Sequence, residues 1–342
     1  MQEVSDKASQ DKDQARSPTE ERFPAVSKSH QVEKGGTIAG LVKEIEKVLA
    51  GKRDVVELAV ATLVAGGHLL LEDVPGVGKT TLARAMANSL DCKFGRIQFT
   101  SDMLPSDVLG ANVFNPTTGE FQFRPGPIFS HIVLADEVNR TSPRTQSALL
   151  EAMNESQVSL DGETFPLEAP FFVIATQNPK ELHGTYPLPE SQLDRFLVSL
   201  SIGYPDATTE KLVITGRNEE QQMKNVRPVM SREQLLGLRQ KVSEVSIKEP
   251  LVDYIHDIVL ATRDPARFEL GASPRAGIQL LKASRAMALM RGRDFVSPDD
   301  IRYVAPYVLA HRLVLKSASQ LFAGRSQALS RVEEMLDSIQ VP

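Results

Sequence analysis

The sequence predicts an α/β fold in which a mostly parallel sheet is covered by helices and followed by a smaller all-α domain. Three observations carry that reading. Short apolar runs of strand length alternate with helical stretches as far as Tyr204, a Gly-rich loop joins the first of those runs to a helix, and helix signals dominate after Tyr204-Pro205. The 342 residues suffice for two packed domains, and 41% hydrophobic with 24% charged residues is ordinary for globular chains.

Residues 1–36 are rich in Ser, Gln, Lys, Asp and Glu, with Phe23 the only aromatic, so a disordered tail is expected there. Over 38–50 the apolar residues Ile38, Leu41, Val42, Ile45, Val48 and Leu49 recur at helical spacing, and Gly51 stops the helix. A second helix is predicted from about Arg53 to Leu63, and Gly66-Gly67 then leads into the apolar strand run His68-Leu69-Leu70-Leu71. Further strand runs fall at 97–99, 132–135 and 171–175, separated by helical stretches such as 80–90 and 144–153. Between them, 112–124 reads as a hairpin turning at 115–119 with Phe121 and Phe123 alternating, and 157–167 as a second hairpin turning at Asp161-Gly162. In the helical part, Ser231-Arg-Glu-Gln234 is a capping box, while Ser273-Pro274 and Ser297-Pro298 each place Ser at the N-cap and Pro at the first helical position. The domain boundaries are therefore 1–36 for the tail, 37–204 for the sheet domain and 205–342 for the helical domain.

Composition excludes several function classes. With 39 Lys plus Arg against 44 Asp plus Glu, the net charge of −5 provides no global field for holding nucleic acid, and none is expected as a partner. One cysteine, Cys92, allows no intrachain disulfide, and the six histidines include no pair at i,i+3 or i,i+4, so a transition-metal site is not expected. The apolar region 55–71 is broken by Glu57, Gly66-Gly67 and His68, so no membrane insertion is expected, and the start of the chain does not read as a signal peptide. These features together suit a soluble cytoplasmic protein.

The chemistry begins at Asp73-Val74-Pro75-Gly76-Val77-Gly78-Lys79-Thr80-Thr81, between the strand at 69–72 and a helix with Leu82, Met86 and Leu90 on one face. Strand, Gly-rich loop and helix are the context a phosphate-binding loop requires. Backbone N–H groups curl around phosphate oxygens, Lys79 reaches the β and γ phosphates, and Thr80 can ligate Mg²⁺. One position departs from G-x-x-x-x-G-K-[ST]: Asp73 stands where the first Gly belongs. Downstream, the apolar strand 131–135 ends in Asp136-Glu137, a place for a Mg²⁺-holding Asp136 and a water-polarising Glu137. The strand 171–175 delivers Thr176, Gln177 and Asn178 to the same sheet edge, where Asn178 can hydrogen-bond the γ phosphate or its water. Arg275 falls in the first turn of its helix, where a cation opposes the macrodipole; a bound phosphate would explain that choice, and an ion pair with an acidic neighbour is the alternative.

In order, Pro75-Gly-Val-Gly-Lys-Thr80, Leu134-Ala-Asp-Glu-Val-Asn-Arg140, Ala175-Thr-Gln-Asn-Pro179, Leu188-Pro-Glu-Ser-Gln-Leu-Asp-Arg-Phe196 and Gly271-Ala-Ser-Pro-Arg275 make the chain resemble the MoxR family of AAA+ ATPases over about residues 37–320. The resemblance implies an AAA+ P-loop NTPase domain with a helical lid. By carry-over, Lys79 and Thr80 belong to Walker A, Asp136 and Glu137 to Walker B, Asn178 is sensor 1, Arg275 is sensor 2 and Arg195 is the arginine finger, with Arg140 and Arg144 as rival fingers. The hairpins at 112–124 and 157–167 resemble the helix-2 insert and the pre-sensor-1 hairpin; contact with a client and packing between subunits are both open for them. ATP and Mg²⁺ are the implied cofactors. A finger acting in trans implies a homo-oligomeric ring, a hexamer, that remodels, matures or inserts metal into client or adaptor proteins, among them ones with von Willebrand factor A domains. A magnesium-chelatase-like motor subunit and an ATP-gated, non-hydrolysing scaffold are the alternatives.

Overall fold

The structure, a computed structural model, describes residues 36–178, 184–207, 210–211, 219–316 and 325–342. The expected tail lies, but for Gly36, outside the described residues. The first part of the chain runs α1 (Ile38–Glu46), α2 (Arg53–Val64), β1 (Leu69–Glu72), α3 (Lys79–Ser89), β2 (Phe94–Gln98), α4 (Pro105–Leu109), β3 (Gly110–Asn115) and β4 (Glu120–Pro125). It continues through β5 (Ile132–Asp136), α5 (Pro143–Glu155), β6 (Gln157–Leu160), β7 (Glu163–Pro166), β8 (Phe172–Gln177), α6 (Glu190–Leu193) and β9 (Val198–Leu200). The second part holds α7 (Glu219–Asn225), α8 (Arg232–Glu244), α9 (Glu249–Ala261), β10 (Phe268–Leu270), α10 (Pro274–Met290), α11 (Pro298–Leu309), β11 (Val314–Leu315) and α12 (Arg325–Asp337).

The sheet is five-stranded and parallel in the order β2-β5-β8-β1-β9. Its central strands β5, β8 and β1 are largely apolar because both faces are covered. Leu69, Leu71, Ile132, Leu134, Phe172 and Ile174 enter one buried cluster, while Leu70, Val133, Ala135, Val173 and Ala175 enter the other. Pairing Leu70 and Ala135 with the same Ala175 brings the carboxyl ends of β1, β5 and β8 level. That edge, where the strand order reverses, is where ligands of open α/β sheets bind.

The capping signals are present as expected. Ser231 Oγ accepts from Gln234 N at 3.2 Å while Gln234 Oε1 accepts from Ser231 N at 2.7 Å, and Ser273 and Ser297 are the N-caps of α10 and α11. Three features differ from expectation. The first helix ends at Glu46 and continues only as turns to Gly51. Beside β1 lies β9, a three-residue strand, and within the helical part β10 pairs with β11 antiparallel. Strands of two or three residues are too short to show a period and exist only through their partners. Both expected hairpins form, with Asp161 (φ 52°) and Gly162 (φ 84°) left-handed as a two-residue turn requires. The two hairpins pack on each other: Phe123 stacks on Phe165 with centroids 4.1 Å apart, and Asn112 Nδ2 donates to Asp161 Oδ2 at 2.9 Å. Among the described residues no helix is long and apolar enough to cross a membrane.

His68, at the entry to β1, is buried against Phe171 and Phe172. Its Nδ1 accepts from Val173 N at 3.0 Å and its Nε2 lies 3.0 Å from Met153 O, so only the neutral ring with a proton on Nε2 serves both. Burial, with the cations Arg239 and Lys282 behind it, lowers its pKa to about 4. The unfolded ring takes up a proton near 6.5 and the folded one does not, so this stability is complete above pH 6.5 and is lost as pH falls toward 4. We predict that unfolding free energy measured with denaturant drops between pH 7 and 5, with about 2 kcal/mol of the drop due to His68. His68→Gln is expected to flatten the profile by that amount, and an unchanged profile would contradict the assignment.

Candidate nucleotide site at the sheet edge

The loop between β1 and α3 turns on two glycines. Gly76 (φ 84°) and Gly78 (φ 98°) take left-handed conformations, and Gly78 starts α3. The conformation leaves the first N–H groups of α3 without intrahelical partners, a ready anion site. Lys79 is buried, and its Nζ donates to Asp73 O at 2.9 Å. The Asp that replaces the motif's first Gly has a structural task. Its Oδ1 accepts from Ser201 Oγ at 2.7 Å and Gly203 N at 3.2 Å, and its Oδ2 accepts from Ile202 N at 2.6 Å. Asp73 thus ties the start of the loop to the segment leaving β9. One residue earlier, Glu72 accepts from Gln177 Nε2 at 2.7 Å, Ser199 Oγ at 2.7 Å and Arg325 Nη1 at 3.3 Å, joining β8, β9 and α12 beneath the loop.

Asp136 and Glu137 stand at the end of β5. Asp136 Oδ1 accepts from Thr176 Oγ1 at 2.7 Å and Oδ2 pairs with Arg96 Nη2 at 2.7 Å. The same Thr176 Oγ1 accepts from Glu137 N at 2.9 Å, so one hydroxyl from β8 fixes both acidic residues. Glu137 takes a left-handed backbone (φ 60°), unusual for a residue with a Cβ and costing on the order of 1 kcal/mol. Its Oε2 accepts from Gln98 Nε2 at 2.8 Å and lies 3.1 Å from Arg140 Nε. Asn178 follows β8 directly and is buried. The structure therefore brings the loop residues 74–81, Asp136, Glu137 and Asn178 to one sheet edge.

Sequence reasoning missed Arg96 and Gln98. Their alternation on β2 around the buried Ile97 was the available signal, because it turns both toward one face beside β5.

The arginines divide. Arg140 pairs with Glu137 of its own chain, and Arg144 is exposed near the start of α5. Arg195 Nη1 donates to Leu150 O at 2.6 Å and Arg275 Nη2 to Asn154 Oδ1 at 3.3 Å, so both reach the last turns of α5. Arg195 also lines a 230 Å³ cleft with Gln192 and residues of that helix.

Thr80, in the first turn of α3, and Asp136 offer hard oxygen donors. Among the described residues no group of three or more His, Cys, Asp or Glu could hold a metal. One carboxylate and one hydroxyl suit Mg²⁺, which keeps waters and takes phosphate oxygens rather than an all-protein cage. The residues present fit that ion.

Comparison with known proteins bears on the fold and the family. Residues 68–198 match the model of the ATPase family associated with various cellular activities (AAA), and residues 260–332 match the AAA lid domain. The chain is an AAA-type α/β ATPase domain followed by an AAA lid. Chaperone MoxR1 of Mycobacterium tuberculosis (strain ATCC 25618 / H37Rv) is 39% identical over 85% of this chain and 81% of its own length. Protein YeaC of Bacillus subtilis (strain 168) is 49% identical over 88% of this chain and 93% of its own. A crystal structure of a protein from Cytophaga hutchinsonii superposes with a TM-score of 0.80 at 39% identity, covering 89% of this chain and 94% of that one. The chain belongs to the MoxR family of AAA+ ATPases.

If Asp73 is a tie rather than a defect, restoring the motif should harm the fold. Asp73→Gly leaves the Ile202 and Gly203 N–H groups without their acceptor, and we predict a loss of about 1–3 kcal/mol in denaturant unfolding. Equal or higher stability would contradict this role.

Proposed function

We propose that the protein binds and hydrolyses ATP with Mg²⁺ as a MoxR-type ATPase, and that the cycle drives remodelling, maturation or metal insertion of client proteins. The observation that carries the reading is the meeting of the loop at 74–81, the Asp136-Glu137 pair and Asn178 at one edge, with Thr176 bonded to both acids. Lys79 and the N–H groups of the loop and of α3 receive the β and γ phosphates, Lys79 exchanging the Asp73 carbonyl for phosphate oxygen. Mg²⁺, held by Thr80 and Asp136, supplies charge neutralisation at those phosphates. Glu137, oriented by Gln98 and Arg140, accepts the proton of the attacking water, and Asn178 orients the water or the γ phosphate.

Arg195 completes the site of a neighbouring copy. A contact of that kind joins two different surfaces and closes as a ring, taken here as a hexamer. Arg275, whose Nη2 reaches the last turn of α5 beside Arg195, is the second cation assigned to phosphate charge. Chaperone MoxR1, by its name, supports the reading of a partner-remodelling role, with client or adaptor proteins, including von Willebrand factor A domains, as the class to screen. The single Cys92, its thiol pushed up to about 12 by burial, suits a reducing, cytoplasmic compartment.

The test is steady-state Mg-ATP hydrolysis per subunit across a protein concentration series. The specific rate is expected to climb with concentration, to vanish in Glu137→Gln, and to fall on the order of 10³-fold in Arg195→Ala with ATP binding retained. A rate in Glu137→Gln equal to that of the unaltered chain, or one independent of Arg195, would overturn the assignment.

A further inference from the structure

Arg312 is 4% exposed, and such burial of a cation is tolerated only where donors and charge are answered. It stands at the end of a short 3-10 turn, Ala310–Arg312, after α11. Its Nε donates to Asp194 Oδ1 at 2.8 Å, its Nη2 to Asp194 O at 3.3 Å, to Phe196 O and to Gln279 Oε1, and its Nη1 to Val308 O. Asp194 and Phe196 are the two chain neighbours of Arg195, so one guanidinium from the lid grips both flanks of that residue. The grip is reinforced from α10, where Gln279 Nε2 donates to Asp194 O at 3.0 Å and Ser273 Oγ donates to Asp194 Oδ2 at 3.1 Å. Ser273 is the N-cap of the helix whose first turn carries Arg275. The flat, forked guanidinium can serve several acceptors at fixed angles, and an ammonium cannot.

We propose that Arg312 is a positioning residue: with Asp194 and Gln279 it clamps the Arg195 segment to the lid, so that lid position sets where Arg195 stands against a second copy of this chain. The inference rests on the reading of Arg195 as acting at a neighbouring chain's nucleotide. The geometry separates this role from a general stabilising one. Arg312 bonds to the backbone on either side of Arg195, whereas its own chain's Lys79, Asp136 and Glu137 have other partners. Loss of the clamp therefore spares the variant's own nucleotide pocket and disables the one next door. A displacement of about 1 Å at such a group can lower a rate roughly 10²-fold.

The test uses the full chain carrying Arg312→Lys, with Arg195→Ala and Glu137→Gln as references, and reads fluorescent ATP-analogue binding, kcat and KM, and subunit mixing. Arg312→Lys is expected to bind the analogue within about twofold of the unaltered chain while kcat falls at least about tenfold. Mixed in excess with Glu137→Gln, which cannot hydrolyse but has an intact Arg195, it is expected to regain activity, since the intact arginine reaches the variant's sound pocket. Arg195→Ala should be rescued by the same mixing. A kcat within about twofold of the unaltered chain, or a loss that mixing rescues for Arg195→Ala but not for Arg312→Lys, overturns the clamp. If mixing rescues neither, the trans reading of Arg195 itself fails and the clamp with it. Should Arg312→Lys unfold at the assay temperature, Asp194→Asn keeps the side chain's size and carries the same expected and overturning results.

Discussion

The level parallel pairing of β1, β5 and β8 is the constraint on which the rest depends. Each strand leaves the sheet with polar residues at its carboxyl end, and the pairing of Leu70 and Ala135 with one Ala175 makes those ends coincide. A slip of one residue would send every strand side chain to the opposite face and move Asp136 away from Thr176. The two buried clusters on either side of the sheet therefore stabilise the fold and also fix the geometry of the site, because the apolar alternation that fills them sets the register.

Polar bonds then finish what the register begins. Thr176 joins Asp136 to Glu137, Gln98 and Arg140 hold the Glu137 carboxylate, and Glu72 and Asp73 bind the loop to β8, β9 and α12. Arg96 answers the charge of Asp136. The carboxyl edge is thus bonded on one side to the sheet and on the other to the C-terminal helix. The lid holds the sheet domain a second time at the opposite, amino end of the sheet, where Arg312 bonds Asp194 and Phe196 just ahead of β9.

Much of this was legible in the sequence, for a physical reason. A phosphate loop needs glycines, a lysine and a hydroxyl in consecutive positions, and an acid pair at a strand end is likewise local, so Gly76, Gly78, Lys79, Asp136 and Glu137 announce themselves. Caps are local too, and Ser231, Ser273 and Ser297 stand where their patterns put them. What could not be read depends on partners distant in the chain. Asp73 looks like a flaw until Ile202 and Gly203 are seen to donate to it. Gln98 and Arg96 look like surface residues of a strand until β5 lies beside them, Arg312 looks like a helix-end cation, and β9 is too short to be a strand without β1.

The central claim is that the carboxyl edge formed by β1, β5 and β8 is a Mg-ATP site. Calorimetric titration of the full chain with ATP, with and without Mg²⁺, tests it most directly when run beside Lys79→Ala and Asp136→Asn. The account predicts saturable binding to the unaltered chain, loss of binding in Lys79→Ala, and retained binding without the Mg²⁺ enhancement in Asp136→Asn. Binding that survives Lys79→Ala unchanged, or a chain that takes up no ATP at all, would contradict it.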